Sequence, residues 1–512
     1  MSYMTENNDE LGTVISTADG PTTTAFSFVL KSNSVRKNQF VKVETEDGTL
    51  IGSVSDITRA NRYFERAESV AEYERNGNRV AESFPTTDWE YTVANCRALG
   101  VYTKDGQLVR SVFPPAPGSS VLPVEEAMLK EFLGFDDGGL ELGKLAAHGV
   151  PVKLNLNRLL QKHVAILAMS GAGKSYLASV LIEELLSREK GSGRPAVIVV
   201  DLHGEYVGFA DRSGGFADKT MIVDGRKIRV GLPSVSPSLF WEFLPGASEV
   251  GKREVARKLE ELHREYKEKR EPYGLDELIS AVEADPAIKD NIKGALLGQL
   301  YALKGMRIIS KATYPTVKEL ARPGRLAVLD LSGIDDMPRK QLIVAFFGKR
   351  LFKARKKEKI PPFLLMVEES HNFAREKASG KEFFAKPVIE LIAREGRKFG
   401  ASLCLISQRP VQLSTTALSQ CNTHIILRVT NPYDIKHIGE SCEGIDSGME
   451  RSITTLRVGE AMVVGEATNF PIFMKVRQRR SVKSARGESI EFIARRFEEL
   501  EESRKKDVEA FL

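Results

Sequence analysis

The residues Ala168-Met-Ser-Gly-Ala-Gly-Lys-Ser175 combine two glycines, a lysine and a hydroxyl at a spacing suited to holding phosphate. Gly171 and Gly173 let the backbone turn so that N–H groups from Ser170, Gly171, Ala172, Gly173 and on to Tyr176 converge on phosphate oxygens, and the following helix N-terminus adds partial positive charge. Lys174 would neutralise the β- and γ-phosphates and Ser175 would ligate magnesium. ATP and Mg²⁺ are therefore the expected ligands. Ala168 stands where this type of loop usually has glycine, a departure that leaves the phosphate and metal contacts intact.

A second site half follows the apolar run Phe363-Leu-Leu-Met-Val367, which ends in Glu368-Glu369. Adjacent acids at the carboxyl end of a buried strand suit nucleotide hydrolysis: Glu368 is expected on the metal side and Glu369 on the attacking water. Asp201, ending another apolar strand, is a further acid for the same sheet edge, while His203 and Glu205 suit hydrogen bonds that fix the intervening loop. Gln408, after a third apolar strand, suits a polar sensor of the γ-phosphate. Arg394, Arg397 and Lys398 lie near a helix end, where a guanidinium could serve a neighbouring subunit as an arginine finger. The basic, glycine-containing segment from His371 to Lys381 supplies Arg375, Lys377 and Lys381 as expected contacts to a DNA backbone. The run Lys353 to Lys359 reads as a solvated helix end rather than a nucleic-acid site.

These side chains need a scaffold, and the pattern of the chain supplies one. Val164 to Leu167 is an apolar strand leading into the loop, and Leu177, Val180, Leu181, Leu185 and Leu186 describe an apolar face on the helix after it. Beyond this point strands and helices alternate, as in a parallel α/β sheet. Ala196-Val-Ile-Val-Val200 is continuously apolar, as expected of a strand buried on both faces. Residues 11–121 instead read as β-rich, with short alternating runs punctuated by Asp19-Gly20 and Asp47-Gly48, which suggests a small barrel. The expected organisation is an N-terminal β-barrel over 1–122, a linker and connecting helix over 123–160, a RecA-like α/β ATPase core over 161–234 and 309–482, a helical insertion over 235–308, and a C-terminal helix over 483–512.

At 512 residues the chain exceeds what one hydrophobic core usually serves. Its 74 basic and 69 acidic residues nearly cancel, so nucleic-acid affinity must come from local patches. Cys96, Cys404, Cys421 and Cys442 are scattered, without the spacing of a zinc site or disulfide framework. The polar N-terminus and the lack of a long apolar run lead us to expect a cytoplasmic protein with no membrane segment.

The phosphate loop, with Asp201-Leu-His-Gly-Glu-Tyr206, Met366-Val-Glu-Glu-Ser-His371, Ala393-Arg-Glu-Gly-Arg-Lys-Phe-Gly400, Ser407-Gln-Arg-Pro410 and Arg457-Val-Gly-Glu-Ala461, resembles the HerA ATPases, hexameric DNA translocases related to FtsK. The resemblance covers almost the whole chain. It implies a homo-hexameric ring around duplex DNA, ATPase sites at subunit interfaces, and a NurA-like nuclease or another effector on the barrel face, working in DNA end resection or repair. Carried onto this sequence, it implies nucleotide and metal roles for Lys174 and Ser175, a catalytic role for Glu369, a sensor role for Gln408 and a trans-acting finger at Arg394. A contrasting expectation is a nucleotide-binding ring scaffold that activates an effector nuclease, including in antiviral defence, without processive movement.

Overall fold

A computed structural model describes residues 10–17, 20–77, 79–244, 246–377, 384–484 and 490–511. The chain divides into two compact units, residues 1–155 with 443–477, and residues 156–442 with 478–512. Among the described residues no helix is long and apolar enough to cross a membrane.

The first unit opens with strands β1 (Gly12–Ile15), β2 (Ala25–Leu30), β3 (Phe40–Thr45), β4 (Gly48–Asn61), β5 (Glu90–Tyr102), β6 (Leu108–Val109) and β7 (Ser120–Pro123). Six of them close in the order β1-β7-β3-β4-β5-β2, with β6 added at β5. Alternation puts Val14, Phe26, Phe28, Val41, Val43, Leu50, Val54 and Val121 into one core. The β3–β4 turn needs Gly48: its φ is +135°, and a Cβ there would lie 2.0 Å from the Tyr102 carbonyl oxygen.

The sequence suggests separate strands at Trp89–Val93 and from Val101, but β5 runs unbroken through both. Its polar centre is satisfied across the sheet, where Ser27 Oγ donates to Asn95 Oδ1 at 2.8 Å, and bulges on β4 absorb the change of register. The segment expected to be a linker and connecting helix carries a helix, Glu126–Leu133, and in addition a hairpin of β8 (Leu140–Leu145) and β9 (Pro151–Leu154), so the first unit extends past the barrel.

The second unit is built on β10 (Val164–Leu167), β11 (Ala196–Asp201), β12 (Thr220–Asp224), β13 (Val230–Gly231), β14 (Ile309–Ser310), β15 (Leu326–Asp330), β16 (Phe363–Val367), β17 (Ala401–Ser407) and β18 (Thr423–Ile426). Seven run parallel in the order β12-β15-β11-β16-β17-β10-β18. Central strands β10, β16 and β17 are wholly buried, which accounts for their continuous apolar character. The short parallel pair β13–β14 brackets the helices Pro237–Glu242, Glu249–Lys269, Leu275–Glu283 and Asp290–Gly305.

Back in the first unit, β19 (Glu460–Gly465) pairs with β20 (Ile472–Val476), and β20 pairs with β8. Residues 443–477 therefore belong with the hairpin after the barrel, where the sequence suggests ATPase core.

Candidate nucleotide site

Strand β10 delivers the loop. Ala168 N donates to Ser407 O at 3.2 Å and Met169 N to Arg428 O at 2.8 Å, so the loop leaves the sheet held by both neighbouring strands. Gly171 (φ +77°) and Gly173 (φ +104°) occupy the left-handed region and turn the chain into the helix Lys174–Ser187. Ser170, Gly171 and Tyr176 are exposed, Ser175 half-buried and Ala172 buried.

Lys174 and Glu369 face one another in a nearly closed pocket. Their side chains are 9% and 7% exposed, and Nζ lies 3.7 Å from Oε1. Glu369 has φ +45°, ψ +47°, which for a non-glycine residue costs roughly 1–3 kcal/mol and signals a position set by function rather than propensity. Its Oε2 is buried without a hydrogen bond. His371 Nδ1 is 3.3 Å from that oxygen and 3.1 Å from Ser407 Oγ. Burial, reinforced by Arg409, Lys174 and Arg375, pushes the His371 pKa down to about 4, so the ring is neutral at physiological pH.

The residues present fit a nucleoside triphosphate and its divalent cation. Two left-handed glycines open the loop backbone, Lys174 has donors beyond its one carboxylate, Ser175 adds a hydroxyl, and Glu369 keeps an oxygen without a donor.

Glu368, expected on the metal side, is turned toward β11 instead. Its Oε2 accepts from Leu202 N at 3.2 Å, and it shares hydrogen bonds with Asp201 and Glu205. Burial first, then repulsion from Asp201 and Glu205, holds its carboxyl well above the usual range.

Asp201 is not a free acid at the sheet edge. Oδ1 accepts from the backbone N–H groups of His203, Gly204 and Glu205 at 3.2, 2.7 and 3.1 Å, and Oδ2 accepts from Tyr206 N at 3.0 Å. This carboxylate, rather than His203 or Glu205, fixes the loop; the His203 side chain is exposed.

Gln408 is half-buried one residue beyond Ser407, the register partner of Leu167, which places it beside the start of the phosphate loop. Arg394 and Arg397 are exposed at the end of the helix Lys386–Glu395 and just after it. They precede the amino end of β17, while the phosphate loop leaves the carboxyl end of the parallel strand β10. His163 Nε2, just before β10, lies 3.0 Å from Ala393 O and confirms that edge. The two arginines are thus at the sheet edge opposite their own phosphate loop.

Arg375 and Lys377 are exposed. Arg375 bridges Leu413 through its backbone and Glu376 N donates to Gln412 O at 2.9 Å, which ties this part of the loop beside His371. Lys381 lies outside the described residues.

The sequence reading also missed a strap. Glu183, on the outer side of the helix Lys174–Ser187, is fully buried. Its Oε1 accepts from Arg480 N, Ser481 N and Ser481 Oγ at 2.9, 2.7 and 2.7 Å. Arg479 N donates to Tyr176 Oη at 2.7 Å, and Ser484 Oγ to Gly204 O at 2.7 Å. The strap joins the residue after Ser175 to the loop capped by Asp201.

Residues 140–351 match the family described as Helicase HerA, central domain. A probable helicase of Methanocaldococcus jannaschii is 27% identical over 92% of this chain and 91% of its own length. The DNA double-strand break repair helicase HerA of Pyrococcus furiosus is 28% identical over 88% of this chain and 90% of its own. VirB4 of Thermoanaerobacter pseudethanolicus shares the fold across 67% of this chain and 97% of that one, with a TM-score of 0.52 at 16% identity. The match of residues 140–351 to the HerA central domain, which includes this phosphate loop, and the likeness to HerA helicases along most of the chain support a HerA-family P-loop ATPase.

Proposed function

We propose that the chain is an ATP-driven translocase or helicase for duplex DNA, assembled as a homo-hexameric ring and serving the processing or repair of DNA ends. The observation that carries the ATPase half is the buried Lys174–Glu369 pair, with Glu369 held in a left-handed conformation at the carboxyl end of β16. The DNA half rests on relatives whose names describe double-strand break repair helicases.

The loop N–H groups and Lys174 would hold the triphosphate, and Ser175 is the loop's ligand for Mg²⁺. Magnesium, when bound, neutralises charge on the phosphates. Lys174 then moves from carboxylate to phosphate, which frees Glu369 Oε1. With both oxygens available, Glu369 orients the attacking water and accepts its proton, next to a His371 that stays neutral and does not compete for that charge. Gln408 is the proposed sensor of the γ-phosphate and Arg394 the cation supplied to a neighbouring copy, with Arg397 as the other candidate.

Two features support partners. The C-terminal helix leaves Ile490, Phe492, Phe497 and Leu500 exposed, as a segment that packs on a second copy would. In the first unit Trp89, Val112 and Phe113 are 48%, 75% and 68% exposed, which suits docking of a NurA-like nuclease or another effector there.

Glu369→Gln is expected to keep ATP binding and lose DNA-stimulated turnover by about 10²–10⁴-fold. Turnover by the wild-type protein that duplex DNA fails to raise would instead favour a ring scaffold for an effector, which needs no water activation.

A further inference from the structure

A second concentration of charge lies far from the nucleotide site. The helix Met337–Lys356 and the turn after it form one wall of a groove of about 410 Å³, facing Ser236 and Val317. Lys318, Lys349, Arg350, Lys353, Lys357 and Lys359 line it, and among the described residues no acidic side chain does. In a chain whose charges nearly cancel, this is a local departure. Leu239 and Ile360 supply an apolar floor.

Position separates this groove from the phosphate loop. Ile360 lies three residues before β16 begins, so the groove sits at the amino edge of the sheet. The loop leaves the carboxyl edge, about 17 Å away along a five-residue strand.

The spacing of the cations indicates the ligand. Lys353 and Lys357 stand about one helical turn apart, roughly 6 Å, and Lys318 and Lys359 join them on the same lining. Such a lining meets successive charges of a polymer better than one small anion. Arg350 is held in place: its Nη1 donates to Ser234 O at 2.9 Å and its guanidinium lies 5.5 Å from the Phe346 ring centroid. Burial lowers its pKa, a cost that an anion in the groove would relieve.

We propose that this groove binds the sugar–phosphate backbone of a nucleic-acid strand. The lysines contact phosphates without reading bases, and the apolar floor takes the faces of sugars. The proposal rests on the DNA-acting function above and adds to it a contact away from the nucleotide site.

The test compares the full-length protein with the variant Lys318→Gln/Lys353→Gln/Lys357→Gln and with a control of equal charge change elsewhere, Lys104→Gln/Lys190→Gln/Arg264→Gln. Binding of labelled duplexes of two unrelated sequences is followed by fluorescence anisotropy across a salt series. The groove variant should bind both at least about tenfold more weakly, with a salt slope shallower by about two to three, while its DNA-free ATP turnover and the control's binding stay unchanged. Wild-type affinity and slope in the groove variant would overturn the groove alone, as would equal weakening in the control. Polyglutamate outcompeting duplex for the wild-type groove would point to an acidic protein segment instead and also overturn it. If the wild-type protein bound neither duplex, the DNA-acting function would fall together with the groove.

Discussion

Glu368 and Glu369 are neighbours in sequence with opposite surroundings. A strand sends successive side chains to opposite faces, so at the end of β16 one acid reaches Lys174 and the other the turn after β11. Glu368 therefore packs against Asp201, its carboxyl held well above the usual range by burial. Glu368→Gln, which preserves shape, is expected to keep ATP turnover within a few-fold of wild type; a loss as large as that of Glu369→Gln would restore Glu368 to the metal. The same pair has a pH signature. Burial raises both carboxyls, so above the ordinary carboxylate range the folded state holds more protons than the unfolded one, and stability falls as pH rises through the raised values. Urea melts of Glu368→Gln should show a weaker decline above the ordinary carboxylate range than wild type.

At the scale of elements, the helix Lys174–Ser187 shows how a strap changes an amphipathic pattern. Leu177, Val180, Leu181, Leu185 and Leu186 mark the face that meets the sheet, but Glu183 is buried too, because residues 479–481 cover the opposite side. Glu183 is the anchor of that cover, and removing it leaves two backbone N–H groups and a hydroxyl without their acceptor. Glu183→Ala is expected to destabilise the second unit by roughly 2–4 kcal/mol and to speed tryptic cleavage after Arg479 and Arg480. Because the strap also holds Tyr176, next to Ser175, nucleotide affinity should weaken in the same variant. Unchanged cleavage would show that the strap is held by Arg479 rather than by Glu183.

At the scale of the whole molecule, Arg394 decides why a ring would be needed. Its helix ends at the amino edge of the sheet, a strand's length from the loop that carries Lys174, so it is badly placed to serve its own chain. A neighbouring copy could bring that edge to the phosphate. Mixing Arg394→Ala with Glu369→Gln subunits should then recover hydrolysis at interfaces that join one intact finger to one intact acid. A finger is typically worth about 10³–10⁵ in rate, so even a minority of such interfaces would stand above either variant alone. Absence of recovery in rings verified as mixed would remove Arg394 from the interface and make Arg397 the next residue to test.

The features legible in the sequence are those whose parts are contiguous. Strand, loop and helix around Lys174 follow within about two dozen residues, the acids close an unbroken apolar run, and Asp47-Gly48 marks its own turn, so periodicity and turn chemistry are enough to find them. The rest depends on residues brought together from far apart. Glu183 and Ser481 are 298 positions distant, and nothing local announces that a glutamate on the outer face of a helix will be buried. Asp201 looks like a catalytic acid until the turn folds four N–H groups onto it, and Glu368 looks like an ordinary carboxylate until burial beside Asp201 raises its pKa. The basic groove is assembled from Lys318 and from the helix end at 349–359, whose lysines read singly as solvated. Residue type and order thus determined which chemistry the chain could carry, while charge state, orientation and grouping were decided by the tertiary structure, because each depends on the dielectric and the neighbours that only the packed sheet supplies.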